Sequence, residues 1–209
     1  MFKKLFFLAL FSAVFANAQL QYKPTDKTTL DGWIAEAKEH NEIDISQLQK
    51  LDAEYNDVVV NPDDPNRVFD YGRILTAVLQ PGLATATEKE LSDAGKKIAA
   101  ESEEAYRDAI RDCDCHGRAN IMLGLLYNQQ GKYFLSEPYL EKGLELPEGG
   151  EDWMVAANQY LLTGAYTYNT TEEKYQKIYV LFKKFAQSVT KDADYYQKMA
   201  GLYVSYYEK

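Results

Sequence analysis

The stretch from Gly117 to Gly150 constrains this chain more than any other. After Gly117 it runs RANIMLGLLYNQQGKYFLSEPYLEKGLELPEGG. Apolar residues recur there at helical spacing and are interrupted at Gly131. That pattern predicts two short amphipathic helices folded back on each other. Gly124, Ser136 and Gly143 are small, so the two backbones can approach closely, while Leu123, Tyr127 and Leu140 fill the space around the crossing. A chain built from such hairpins makes a binding surface rather than a reaction centre.

Residues 1–18 have the three parts of a secretory signal. Lys3 and Lys4 supply the positive start, Leu5 to Ala16 form an apolar run broken only by Ser12, and Ala16-Asn17-Ala18 offers small residues to a peptidase. The run is 12 residues long, and a membrane-spanning helix needs roughly 20. The expected cut lies between Ala18 and Gln19, which places the mature chain in the periplasm or outside the cell, and the leader is of a bacterial kind. No cysteine follows the run to anchor a lipid. No later segment is apolar enough to insert in a bilayer.

Removing Lys3 and Lys4 with the leader leaves 21 basic residues against 32 acidic ones, a charge of −11 on 191 residues. That balance argues against nucleic acid, whose phosphates need a basic face, and against an anionic lipid surface. The mature length suits one domain.

Gln19 to Lys27 is polar and holds Pro24, which predicts a flexible N-terminal tether. Residues 28–209 then form the helical domain. Leu30, Trp33, Ile34 and Ala37 mark a first helix, and Leu48, Leu51, Ala53 and Tyr55 a second that starts after Asp44 or Ser46. Val58-Val59-Val60 reads as a helix end packed on a neighbour. Pro65 suits the first position of the next helix, which carries Val68, Phe69, Gly72, Leu75, Thr76 and Leu79 and stops at Gln80-Pro81-Gly82. Thr87 with Glu90 forms a capping box that opens a long helix through Leu91, Ala94, Ile98, Ala105, Ala109 and Ile110. Beyond the hairpin, Asp152 caps a helix with Trp153 to Gly164. Tyr175 to Val189 and Ala193 to Tyr207 give two more. The fold class is all-α.

A period of about 34 residues with a helix–turn–helix unit is the tetratricopeptide signature, and residues 117–150 resemble that repeat. Leu123, Gly124 and Tyr127 stand where its first helix places leucine, glycine and tyrosine. Gly131 and Tyr133 match its turn, and Ser136, Leu140, Gly143 and Pro147 its second helix. Residues 65–112 and 152–190 resemble it more loosely. The resemblance implies antiparallel hairpins stacked as a short right-handed superhelix with capping helices. It also implies a concave groove lined by Phe69, Arg73 and Thr76, then Arg118, Leu125, Asn128 and Gln129, then Asn158, Leu161 and Tyr168. Amides, arginines and an aromatic ring there would grip an extended peptide.

Asp112-Cys113-Asp114-Cys115-His116 is the one cluster of reactive side chains in the sequence. Its spacing is neither the C-x-x-C of thioredoxin-like enzymes nor the C-x-x-C-H of haem attachment, and no fourth metal ligand stands out. In an oxidising compartment Cys113 and Cys115 are candidates for a local disulfide. The Asn61–Asn66 loop lacks the central glycine of an EF-hand and reads as a solvated turn. With two histidines, no serine elbow and no phosphate-binding glycine loop, the chain is read as non-enzymatic, with no catalytic residues, cofactor or metal.

The leading expectation is an exported helical-repeat scaffold that binds a protein or peptide partner. One alternative is a structural envelope protein whose tyrosine-rich C-terminal helices form a homo-oligomer face. The other is a redox or metal-handling protein centred on Cys113, Cys115 and His116.

Overall fold

The computed structural model describes residues 21–86, 89–112 and 116–146, with Ala156, Gln159, Tyr160, Glu173 and Val180 beyond them. Among these, every regular element is helical and none is a strand. The α-helices are α1 (Lys27–Glu39), α2 (Leu48–Val60), α3 (Pro65–Val78), α4 (Gln80–Thr85), α5 (Asp93–Asp112), α6 (Gly117–Gln129) and α7 (Tyr133–Glu145). A 3-10 turn, Ile45–Gln47, leads into α2. None of the described helices is long and apolar enough to cross a membrane.

Local chemistry sets several boundaries. Asp26 accepts from the Thr29 amide and caps α1, Asp44 caps the 3-10 turn through Ser46, and Asp64 caps α3 ahead of Pro65 at its first turn. Gly131 takes φ +70° between α6 and α7, a left-handed conformation that costs glycine little. Val58 is buried, but Val59 and Val60 are 50% and 76% exposed, so the packed helix end expected there is limited to Val58.

Two helix pairs carry the architecture. α3 packs on α5, and α6 packs on α7. α1 and α2 cover the first pair from α5 and α3 respectively, and α5 also packs on α6, which joins the two pairs. In the second pair a Cβ on Gly124 would lie 2.7 Å from the Leu140 side chain, and one on Gly143 would lie 2.9 Å from the Ile121 amide. The small residues therefore permit the close crossing expected of them. The first pair has the same device. A Cβ on Gly72 would meet Ala105 at 3.0 Å and the Tyr106 ring at 3.1 Å. One apolar core runs from Tyr22 to Tyr127 through α1, α2, α3, α5 and one face of α6, with Tyr139 of α7 packed against it.

Three expectations are corrected. First, α3 ends at Val78, as the Gln80-Pro81-Gly82 stop predicts, but those three residues are not an open break: they begin the short α4, which buries Gly82 and Leu83. Second, the long helix begins at Asp93, not behind a Thr87–Glu90 capping box. Its cap is Ser92, whose hydroxyl accepts from the Gly95 amide at 3.0 Å, while Glu90 pairs instead with Lys96. The Glu42 carboxylate buttresses this cap by accepting from the Ser92 amide and hydroxyl, both at 2.7 Å. Third, residues 21–26 are not a loose tether. Tyr22 is 3% exposed, and its hydroxyl donates to Glu101 on α5.

Candidate functional site

The two helix pairs share one contact at their crossings. Ser136 on α7 donates to the Gly124 carbonyl on α6 at 2.7 Å, and Ser102 on α5 donates to the Gly72 carbonyl on α3 at 2.8 Å. Superposing these contacts aligns Ser102, Tyr106 and Ala109 with Ser136, Leu140 and Gly143, a shift of 34 residues. It aligns α3 with α6 by a shift of 52. The excess lies in the α3–α5 connection, where α4 sits.

On that alignment one side of each first helix carries matching positions. Asn66 and Arg73 on α3 are exposed, and Asp70 and Ala77 are half-buried. Their counterparts on α6 are Arg118, exposed, and Met122, Leu125 and Gln129, half-buried. These eight positions form two matching stripes, each spaced at about one helical turn.

Of the residues expected to line a groove, Arg73, Arg118, Leu125 and Gln129 fall in these stripes. Phe69, Thr76 and Asn128 do not. Phe69 is 2% exposed; its ring lies 5.9 Å from Tyr106 and 5.0 Å from His116, and the Arg118 guanidinium covers it at 4.9 Å. Thr76 turns inward and shares hydrogen bonds with Ser102 (2.7 Å) and Tyr106 (2.9 Å). Asn128, its counterpart on α6, is buried and donates to Gln159 at 3.0 Å. Asn158, Leu161 and Tyr168, and the candidate disulfide Cys113–Cys115, lie outside the described residues. The stripes also hold Asn66, Asp70, Ala77 and Met122, which the 52-residue shift from Gly72 to Gly124 marks.

The α3 stripe is charged. Arg73 pairs with Asp70 at 3.4 Å, and Arg67 with Asp57 of α2 at 2.7 Å. Glu54 of α2 adjoins them. Burial and then the Asp70 carboxylate push its carboxyl above the ordinary range, with Arg73 opposing. The α6 stripe is mostly apolar between Arg118 and Gln129. The Gln129 Oε1 is buried and accepts no hydrogen bond.

A clasp fixes the second pair to the first. Arg107 of α5 donates to Glu103 at 2.9 Å, to the Tyr139 hydroxyl at 3.0 Å and to the Tyr127 hydroxyl at 2.5 Å. Tyr127 in turn donates to Glu103 at 2.6 Å. Burial and this carboxylate push the Tyr127 phenol up to about 12. After α7 the chain returns to the same pair. Ala156 is buried, and the Tyr160 hydroxyl donates to Glu141 at 3.4 Å.

Among the described residues no group of three His, Cys, Asp or Glu side chains is placed to hold a metal ion. No protein-family model, curated protein or solved structure matches the chain.

Proposed function

We propose that this chain is an exported, non-catalytic scaffold in which α3–α5 and α6–α7 are successive units of a tetratricopeptide-like array. The α3 and α6 stripes are the surface on which it holds an extended segment of another protein. The observation that carries the reading is the repeated Ser–Gly hydrogen bond, Ser102 to Gly72 and Ser136 to Gly124. The same crossing in both units gives α3 and α6 matching stripes, which supports reading them as successive surfaces of one array. The Arg73–Asp70 pair and Glu54 would meet polar or charged residues of the partner, and Met122 and Leu125 its apolar ones.

The test is a photoreactive side chain placed singly at Arg73, at Leu125 and, as control, at the exposed Glu39 of α1. Irradiation in periplasmic extract is expected to yield the same discrete adduct from the first two positions and none from Glu39. Adducts that do not distinguish the positions, or none at all, overturn the reading.

A further inference from the structure

A second binding feature lies away from the stripes, where the N-terminal segment meets α5. Glu101 is buried, at 6% exposure, and no lysine or arginine pairs with it among the ion pairs of the described residues. Four neutral donors satisfy it. The Tyr22 hydroxyl lies 3.0 Å and the Thr25 amide 2.9 Å from Oε1, the Thr25 hydroxyl 2.7 Å from Oε2, and the Tyr71 hydroxyl 3.3 Å from Oε1. Three of the four come from a segment that is neither helix nor strand. The receiving parts belong to the helical body. Tyr71 of α3 faces the Tyr22 ring at 6.2 Å and the Tyr55 ring of α2 at 6.0 Å. α3 and α5 are locked together independently, by the Gly72, Ser102 and Thr76 contacts one residue further along.

From this geometry we infer that the cleft walled by Tyr55, Tyr71 and Glu101 is an exchangeable peptide site, whose resident ligand is the chain's own Tyr22–Thr25. The site takes a segment of the form Tyr-x-x-Thr. An aromatic ring fills the space against Tyr71, its hydroxyl reaches one carboxylate, and a β-hydroxy residue three positions on offers the same carboxylate its amide and its side chain. Charge-assisted bonds from neutral donors are about twice as strong as neutral pairs, and using backbone and side chain together is how extended segments are read. The body keeps the charged half of the recognition and the segment the neutral half. A competing segment with the same hydroxyls therefore satisfies Glu101 as well as the resident one does. A segment without them strands a buried carboxylate.

The experiment uses the full mature chain carrying Tyr22→Ala and Thr25→Ala, which disables the resident ligand and leaves the cleft intact. The probe is a fluorescent peptide with the sequence of residues 19–26, followed by anisotropy. The expected result is saturable binding to the double variant and binding at least tenfold weaker to the unmodified chain, whose own segment competes. Adding Glu101→Gln to the double variant, or replacing the peptide's tyrosine and threonine by alanine, is expected to weaken binding at least tenfold. No saturable binding to a double variant that keeps its helical circular dichroism overturns the inference. So does loss of that helical signal in the double variant, because the helical body would then depend on the segment to fold. The stripes take no part in this assay, so its failure leaves the proposed scaffold function standing, and failed crosslinking at Arg73 and Leu125 leaves the cleft standing.

Discussion

Ser136 donates its hydroxyl hydrogen bond to the Gly124 carbonyl across the crossing of α6 and α7, at 2.7 Å. A side-chain donor reaches a helix carbonyl on a neighbouring helix only where the two backbones nearly touch. The missing Cβ of Gly124 is what allows that approach. Ser102 and Gly72 repeat the arrangement at 2.8 Å in the preceding pair. The fold thus uses one contact twice, once in each helix pair.

Gly124→Ala tests that contact. The added Cβ would sit 2.7 Å from the Leu140 side chain and 3.0 Å from its backbone nitrogen, and the backbone cannot give way as a flexible side chain can. Overpacking of this kind costs about 1–3 kcal/mol, read as a lower urea midpoint at unchanged slope. Gly32→Ala in α1 is the control. Nothing lies within 4 Å of its Cβ, and alanine at an exposed helix position is expected to stabilise by up to about 1 kcal/mol.

Glu42→Ala tests the cap of α5. The carboxylate accepts from the Ser92 amide and hydroxyl at the N-terminus of a 20-residue helix, where negative charge is favoured. Its loss is expected to cost about 1–2 kcal/mol. Hydrogen exchange should localise the damage to the first turn of α5 before the global transition shifts. Uniform loss of protection along α5 would contradict a capping role.

The hairpin at Gly131 was legible because its determinants are local: a glycine in the turn, small residues at fixed spacing, and apolar residues on one face of each helix. The start of α5 was not. Thr87 and Glu90 have a capping-box spacing, but the cap that operates is Ser92, supported by a carboxylate 50 residues away in sequence. The ordering of Tyr22 is hidden from the sequence for the same reason, since its partner Glu101 lies 79 residues on. The stripe was half legible. Arg73, Arg118, Leu125 and Gln129 follow from the repeat, whereas Phe69, Thr76 and Asn128 are turned inward by one helical step. An aromatic ring or a hydroxyl at such a step serves a core or a surface equally well, and only the partners decide. For Thr76 those are Ser102 and Tyr106.

Alkaline pH should weaken the fold through its buried phenols. Burial is the first cause raising Tyr22, Tyr71 and Tyr127, and a neighbouring carboxylate adds to it: Glu101 for the first two, Glu103 for the third. An unfolded tyrosine loses its proton near pH 10, whereas Tyr127 in the folded chain holds its proton to about 12. Between these values the unfolded state binds fewer protons than the folded one, so stability falls as pH rises. The contribution is fully present below about pH 10 and is lost as pH climbs through the folded value. Urea midpoints measured from neutral to alkaline pH should fall over that window, and Tyr127→Phe should flatten part of the fall. A midpoint independent of pH would contradict the burial of these hydroxyls.

The coupling between the two helix pairs can be measured at Arg107. This residue of α5 reaches Tyr127 on α6 and Tyr139 on α7, and its guanidinium also lies 5.7 Å from the Tyr139 ring centre. Half of its side chain is exposed, so an isolated ion pair with Glu103 would be worth less than about 1 kcal/mol. The clasp differs because Tyr127 donates to the same Glu103 oxygen that accepts from Arg107, which closes a ring of hydrogen bonds. Removing one member leaves the others without their geometry, so single substitutions should not add. A double-mutant cycle of Arg107→Met with Tyr139→Phe is expected to give a coupling of about 0.5–1.5 kcal/mol in urea denaturation. The same cycle pairing Arg107→Met with Tyr55→Phe, at a ring that packs against Tyr71, should be additive within about 0.5 kcal/mol. Equal couplings in the two cycles would mean that Arg107 acts on global stability and does not hold α5 to α7.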